Sequence, residues 1–475
     1  MRRKSRCWVD PGLSESAAAL PLSGCSLRTR SHFDTGLDRK PGAGSQAVSP
    51  QAPSCGRVQT MNTSIPEERH FSLSDAAQRI QAAFDSLDIR PVTSFTGQSP
   101  CAALTELHDA DGVLLTGGWG KGAREAAAVG SLYEAMEHLL MDRHAAHGAE
   151  VRPVEDLIAL LGPDLTGYLP GALLFDQIEE TIATRCYTGL VGATDFHYPV
   201  ALSAPTYADA PLAADTFDYA PLRRYASNSG TAIGGSLDEA LLHALNECAE
   251  RDAISMFLLT HFFHAADEAL RVVGPAGLPA DVADLYRQVK LCVDADICLL
   301  DISSTPGITS CLAVAHLCHD HARPYGAGAS LNPAHAARRA LHELLQSHLA
   351  LASNATPARA GRAASVHPVQ LLQQWPRLQP SARMDIEDRL ASQPIITVSL
   401  EERPAGPVEA QVQQLAQALE SDGLVAGYNV IHPFDNGITL VNAVVPRFER
   451  FHLVTLGHVV VPGQRGGAPG GLGAR

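Results

Sequence analysis

The residues best placed to do chemistry are acids set at helical spacing in apolar surroundings. Within residues 230–259, Glu239, His243, Glu247 and Glu250 fall at i, i+4, i+8 and i+11, inside an arc of roughly 80° at ~100° per residue. Ala240, Leu241, Leu242, Ala244, Leu245, Cys248 and Ala249 stand around them, too apolar for a helix that only lies on the surface. Unpaired charge is very costly to bury, so such carboxylates must be met by cations, paired or protonated. Arg251 follows at once. Exposed, the same stripe would be a solvated acidic face. Two shorter stripes repeat the pattern. Glu134 and Glu137 lie at i, i+3 among Leu132, Ala135, Met136 and Leu139, and Arg339, Glu343 and Gln346 at i, i+4, i+7 beside Ala337, Ala340, Leu341 and Leu344. Taken singly, a surface Arg–Glu pair of this kind is worth only ~0.3–0.5 kcal/mol. Taken together, the stripes can gather carboxylates for divalent ions and arginines for an anion. Mg2+ takes oxygen ligands and commonly bridges carboxylates to phosphates, which serves phosphoryl transfer by positioning and charge compensation. The residues alone reach a metal–phosphate site without a Walker loop.

The elements that must position these side chains can be read in order. Residues 72–86 are helical, and an alternation over 103–108, a polar turn at 109–112 and an apolar run from 113 make a hairpin. Thr116 to Gly122 reads as a Gly-rich turn opening a helix that runs to about Arg143. It is no phosphate loop, because Gly122 follows Lys121 where Ser or Thr is required. Residues 151–220, rich in Pro and Asp, offer short strands and fit a subdomain or a substrate-facing insertion. Ser236, with Glu239 three places on, is a capping box for the central helix. Residues 297–302 and 311–319 are strands. Cys311, His316, Cys318, His319 and His321 have metal-ligand chemistry, yet period two puts only His316 and Cys318 on one face, so a strand with a polar end is the better reading. Gly326 to Ala329 reads as the opening of a third helix, with Asn332 as its cap and Pro333 at its first position. Residues 352–392 form an excursion. A last unit has strand 395–400, helix 408–419, strand 425–431, an Asn-Gly turn and strand 438–445. Gly- and Pro-rich coil follows from Pro462, and no internal repeat stands out.

Composition bounds the function. The 475 residues are 45% hydrophobic and 18% charged, with a formal net charge of −15, ordinary for a globular chain and contrary to general nucleic-acid binding, which needs a basic footprint. Residues 1–60 differ, with 9 Lys and Arg against 4 Asp and Glu. This aperiodic stretch reads as a disordered leader, with Met61 an alternative start. The 10 cysteines include no CxxC pair, which excludes a zinc ribbon or thioredoxin-like motif and fits a reducing cytoplasm. No run of eighteen apolar residues predicts a membrane span.

Three motifs carry a resemblance. Gly120-Lys121-Gly122 with Ser131 and Glu134-Ala-Met-Glu137, then Ser227-Asn228-Ser229-Gly230 with Glu239-Ala240 and Glu247-Cys-Ala-Glu250-Arg251-Asp252, then Arg339-Ala-Leu-His-Glu343-Leu-Leu-Gln346 resemble, in this order, the signatures of the YcaO family. The resemblance spans about residues 70–465. It implies an α/β (mixed α+β) fold of YcaO type, whose helices carry a buried, carboxylate-rich nucleotide site packed on mixed β-sheets. The domain boundaries it implies are a basic leader at 1–65, a catalytic domain at 66–462 and a flexible tail at 463–475. It implies ATP and Mg2+ as cofactors, with Glu134, Glu137, Glu247 and Glu250 as metal or phosphate ligands. Glu239, Arg251, Arg339, Glu343 and Gln346 would complete the nucleotide site. The implied activity is cyclodehydration of Cys, Ser or Thr in a ribosomal precursor peptide: the side chain attacks the preceding carbonyl, ATP phosphorylates the oxyanion, and loss of phosphate leaves an azoline. Thioamide formation, an accessory role in ribosomal-protein methylthiolation and a non-catalytic nucleotide-binding scaffold are the alternatives. Implied partners are the precursor peptide, a separate E1-like leader-binding protein and a flavin dehydrogenase, with a homodimer as a further expectation; neither nucleic acid nor membrane is expected. The sequence departs from the family at Gly130 (Ser in the family), His138 (Arg) and Gly235 (Asn), and residues 461–465 lack the Pro-x-Pro-x-Pro ending common among azoline-forming members.

Overall fold

Three sheets, antiparallel but for one pair, position the acid-bearing helices in the computed structural model, which describes residues 64–166, 170–316, 324–353, 368–404 and 406–467. The basic leader lies outside these, and all that is described belongs to one compact unit, residues 60–475. The first sheet is β1 (Arg90–Gly97), β2 (Cys101–His108) and β3 (Leu114–Gly122), in that order. The second runs β4 (Ala149–Pro153), β5 (Thr181–Gly189), β13 (Gly427–Pro433), β14 (Thr439–Val444), β7 (Thr231–Gly234), with β6 (Phe196–Pro199) also on β5. The third runs β11 (Tyr325–Ser330), β10 (Thr309–Ala315), β9 (Ile297–Asp301), β8 (Leu270–Val273), β12 (Ile395–Val398), where only β12 pairs in parallel. The principal helices are α1 (Leu73–Ser86), α2 (Arg124–Arg143), α3 (Val154–Thr166), α4 (Leu237–Leu258), α5 (Ala280–Val293), α6 (Pro333–Ser353) and α7 (Val408–Ser421). Among the described residues no helix is long and apolar enough to cross a membrane.

Glycine decides how close the helices come. The stretches read as Gly-rich turns before α2 and α6 are strands, β3 and β11, and their glycines answer to packing. A Cβ on Gly118 would lie 2.2 Å from the backbone nitrogen of Ala135, and one on Gly120 1.9 Å from the carbonyl of Ala127. On β11, a Cβ at Gly326 would lie 2.1 Å from the nitrogen of Leu344 and one at Gly328 2.4 Å from the carbonyl of Ala336. Real Cβ atoms cannot come so near, so α2 and α6 rest backbone to backbone on their strands. Helix α6 also packs on β2 and β3; covered on both sides, β2 is buried along nearly its whole length.

Other expectations shift in the same way. Residues 151–220 are no insertion: β4, β5 and β6 share the sheet of β13, β14 and β7, and Tyr187 on β5 donates a buried 2.6 Å hydrogen bond to Asn442 on β14. The final strands do not form one unit either, because β12 pairs with β8 while β13 and β14 join the second sheet. Of the Cys/His group, Cys311 is fully buried in β10 and His316 Nδ1 lies 3.6 Å from Glu387; Cys318, His319 and His321 lie outside the described residues. Residues 462–467 fold back on the body, where Arg465 Nε reaches Asp252 at 3.2 Å and the amide of Gly466 donates to Glu449 at 2.7 Å.

Candidate active site

The central stripe is on α4, which packs on β7, β14 and β11. Ser236 caps it and accepts from the Glu239 amide at 3.2 Å. Glu250 is 2% exposed. Arg251 sits between its two acids, 3.1 Å from Glu250 and 3.5 Å from Glu247. The other Glu247 oxygen accepts from the amide of Gly230 at 3.4 Å. Gly230 holds φ at +84°, and a Cβ there would meet the Ala443 carbonyl at 2.2 Å, so only glycine presents that amide without strain.

Helices α2 and α6 bring the rest. Glu137 accepts from the amide of Ile233 on β7 at 2.9 Å, and Glu134 lies one turn back. Glu343 on α6 takes a 2.8 Å ion pair from Lys121 on β3. The side chains of Glu247, Arg251 and Glu343 are 21%, 27% and 24% exposed, so each keeps part of its polar surface out of the packed interior.

Electrostatics show how these acids are met. Burial pushes Glu134, Glu137 and Glu247 above the ordinary glutamate range, and repulsion from Glu247 and Glu134 adds to it at Glu137. Glu250 rises to about 7, chiefly through burial, despite Arg251. Glu343 alone is lowered: burial, its largest single influence, is outweighed by Lys121 and Arg251. Five acids thus face two cations in direct contact. A third, Arg339 on α6, has Nη1 3.4 Å from His243 Nδ1, while its Nε is buried with no hydrogen-bond partner. Surplus carboxylates suit a hard divalent cation, and a guanidinium whose Nε lacks a partner suits an anion. Among the described residues no three His, Cys, Asp or Glu side chains form a metal cage by themselves. Mg2+ keeps several waters and commonly joins one or two carboxylates to substrate phosphates.

Of the nine residues expected from the sequence, seven act on one another here: Glu134, Glu137, Glu247, Glu250, Arg251, Arg339 and Glu343. Gln346 is half-buried, three residues past Glu343. Glu239 has another engagement. Its carboxylate does not turn back to complete the capping box; it takes Arg69 Nε at 3.3 Å and the amide of His70 at 3.3 Å.

These two belong to a strap, residues 67–70, that sequence reasoning missed. Glu68, 3% exposed, accepts from Ser330 at 2.6 Å and Asn246 at 3.4 Å and faces His335 at 3.4 Å. Burial opposes its charge, but His335 and Arg339 hold it down to about 2. Glu67 faces His335 and Arg338, each at 3.0 Å. The short charged run after Pro66 was the available signal, and no periodicity marks it. The departures from the family motifs also have local causes. A Cβ on Gly235 would lie 2.7 Å from the Phe71 ring, His138 turns to the Gly117 carbonyl at 2.8 Å, and Ser131 bonds Thr105 at 2.7 Å. An open cleft of about 510 Å³ lined by Arg271, Asp301, Thr305 and Arg403 includes none of the nine.

Helices that lie on β-sheets and bring buried acids and arginines together define a class: mixed α/β proteins whose charged cluster is built without a phosphate loop. The model of the family described as YcaO cyclodehydratase, ATP- and Mg2+-binding, matches residues 119–449, and the chain belongs to the YcaO family. A search of curated proteins finds no match. Solved structures agree in fold. A heterocyclase in complex with substrate and cofactor has TM-score 0.57 at 19% identity, over 81% of this chain and 54% of that one, so the chain spans about half of that protein. YcaO from Methanopyrus kandleri, bound with AMPPCP and Mg2+, has TM-score 0.56 at 15% identity, over 84% and 97%. A chain of the E. coli microcin synthetase McbBCD complex with pro-MccB17 bound has TM-score 0.53 at 14% identity, over 75% and 88%.

Proposed function

We propose that this chain uses Mg2+ and ATP to activate backbone amides of a peptide, closing Cys, Ser or Thr side chains into thiazolines or oxazolines. One observation carries the reading: buried carboxylates from three helices outnumber the cations that meet them, in a chain of a family described as ATP- and Mg2+-binding. Glu134, Glu137, Glu247 and Glu250 would hold the metal against the phosphates. Glu239, Arg251, Arg339, Glu343 and Gln346 would complete the nucleotide site. Bound there, ATP would supply the phosphoryl group that turns a poor leaving oxygen into phosphate. The protein's own part is placement. Gly230 and Ile233 hold Glu247 and Glu137 by their amides, Arg251 is fixed between two acids, and Lys121 keeps Glu343 ionised. Sites fixed beforehand in this way need little reorganisation as charge develops.

The same reading names a ribosomal precursor peptide as substrate and a separate leader-binding protein as partner. Supporting it are a fold shared with a heterocyclase in complex with its substrate and with a synthetase complex carrying a pro-peptide. Thioamide formation is the second reading. Thioamide formation would use the same amide activation with sulfide as nucleophile. One assay separates the readings. Protein, candidate precursor and candidate partner are incubated with Mg2+ and ATP while phosphate release and peptide mass are followed. Loss of one water per modified residue, matched by phosphate, is expected; exchange of oxygen for sulfur would indicate the second product. ATP binding without turnover would indicate a scaffold. Glu247→Gln should abolish turnover, and a variant that still turns over would remove that residue from its role.

A further inference from the structure

His243 belongs to the acidic stripe of α4 but has no part in the roles assigned so far. It stands four residues after Glu239 and four before Glu247, about 6 Å along the helix from each. Arg339 donates to its Nδ1 at 3.4 Å. A guanidinium cannot accept and does not lose its proton in a protein, so Nδ1 must carry the lone pair and the proton resides on Nε2. Among the described residues Nε2 meets no acceptor, and it is not among the polar atoms sealed from solvent. It is therefore an unused donor.

The surroundings fix what it would meet. Arg339 from α6, Arg69 from the strap and Lys121 from β3 bring positive charge to this imidazole, and Glu68 from the strap is the acid that acts on it. Burial and those three cations keep the ring neutral, well below the usual histidine range. A donor inside a ring of cations is suited to an anionic oxygen. Arg339, bonded to the other ring nitrogen, has its own Nε buried and unpartnered.

We propose that His243 is a nucleotide-binding residue of this chain, giving its Nε2–H to a phosphate oxygen while its Nδ1 aims the Arg339 guanidinium at the same group. The inference rests on the nucleotide reading above and adds a residue to it. Two functions on two ring nitrogens can be separated, because asparagine can reproduce an acceptor near Nδ1 and glutamine a donor near Nε2.

The test is calorimetric titration of the full chain with Mg2+ and AMPPCP, for the unmodified protein and for His243→Ala, His243→Asn and His243→Gln. His243→Ala should weaken binding about tenfold or more, as expected for losing a hydrogen bond to a charged group. His243→Asn and His243→Gln should each recover part of that loss. Histidine nitrogen NMR of the unmodified protein, with His243 assigned by its absence in His243→Gln, gives a readout independent of folding in the variants. It should show a bare Nδ1, a protonated Nε2 and no titration between about pH 6 and 8, against an ordinary histidine near 6.5, with the Nε2 signal moving when AMPPCP binds. If the unmodified protein binds nucleotide and His243→Ala binds it equally well, or if the ring titrates normally, the inference falls and the proposed function stands. If the unmodified protein binds no nucleotide, both fall.

Discussion

Glu250 illustrates the tension at the scale of single residues. It is 2% exposed, paired with Arg251, and still raised to about 7. Glu134, Glu137 and Glu247 are raised beside it, so these acids keep their protons to higher pH than ordinary glutamates. Cation binding favours the ionised form, so it must expel them. Binding of Mg2+ with AMPPCP at about pH 7 should therefore release protons, and the share that comes from Glu250 should fade as pH climbs past about 7. Calorimetry in buffers of different ionisation heat reads this directly; binding with no proton release would contradict the charge distribution. This stripe was legible in the sequence, because a helix repeats locally and its face can be counted. The partners of Glu239 were not. Arg69 lies in the strap, and nothing in local periodicity ties it to a helix so distant in sequence.

Strand–helix contacts set the geometry at the scale of elements. Gly118 and Gly120 let α2 rest on β3, and Glu134 and Glu137 ride on that helix. Gly118→Ala forces a methyl to within 2.2 Å of the Ala135 nitrogen and should cost about 1–3 kcal/mol or more, with weakened nucleotide binding because both acids move. Gly130→Ala is the control: its Cβ meets only the Gly120 Cα at 3.7 Å, and alanine is favoured over glycine within a helix. Urea unfolding of the two variants should separate them clearly; equal stabilities would remove the packing argument. The same glycines explain why β3 and β11 were read as turns. A glycine that frees a turn and one that admits a neighbouring backbone look alike until the neighbour is in place.

Distant segments close the structure at the scale of the whole molecule. The strap joins α4, β11 and α6 through Glu68, Arg69 and Glu67. Glu68→Ala removes one partner of a buried charged set and should cost on the order of 3 kcal/mol near neutral pH. Because Glu68 is held down to about 2 in the folded chain against 4.5 ordinarily, its contribution is present above 4.5 and is lost as pH falls towards 2. The deficit of Glu68→Ala should shrink over that window; a deficit under about 1 kcal/mol at pH 7 would show that the strap is not a structural tie. The topology that unites β4 and β5 with β13 was beyond sequence reading for the same reason as the strap: long-range pairing leaves no local mark.

The central claim is that acids from separate helices share one cation beside a nucleotide, and diffraction can test it with least intermediate reasoning. Crystals grown with AMPPCP and Mn2+, which takes the oxygen ligands that Mg2+ takes, would reveal the metal by its anomalous scattering. The account predicts a peak bound to carboxylate oxygens from both α2 and α4, with the phosphates on its other side. A metal held away from Glu134, Glu137, Glu247 and Glu250, or a nucleotide bound elsewhere, would contradict it.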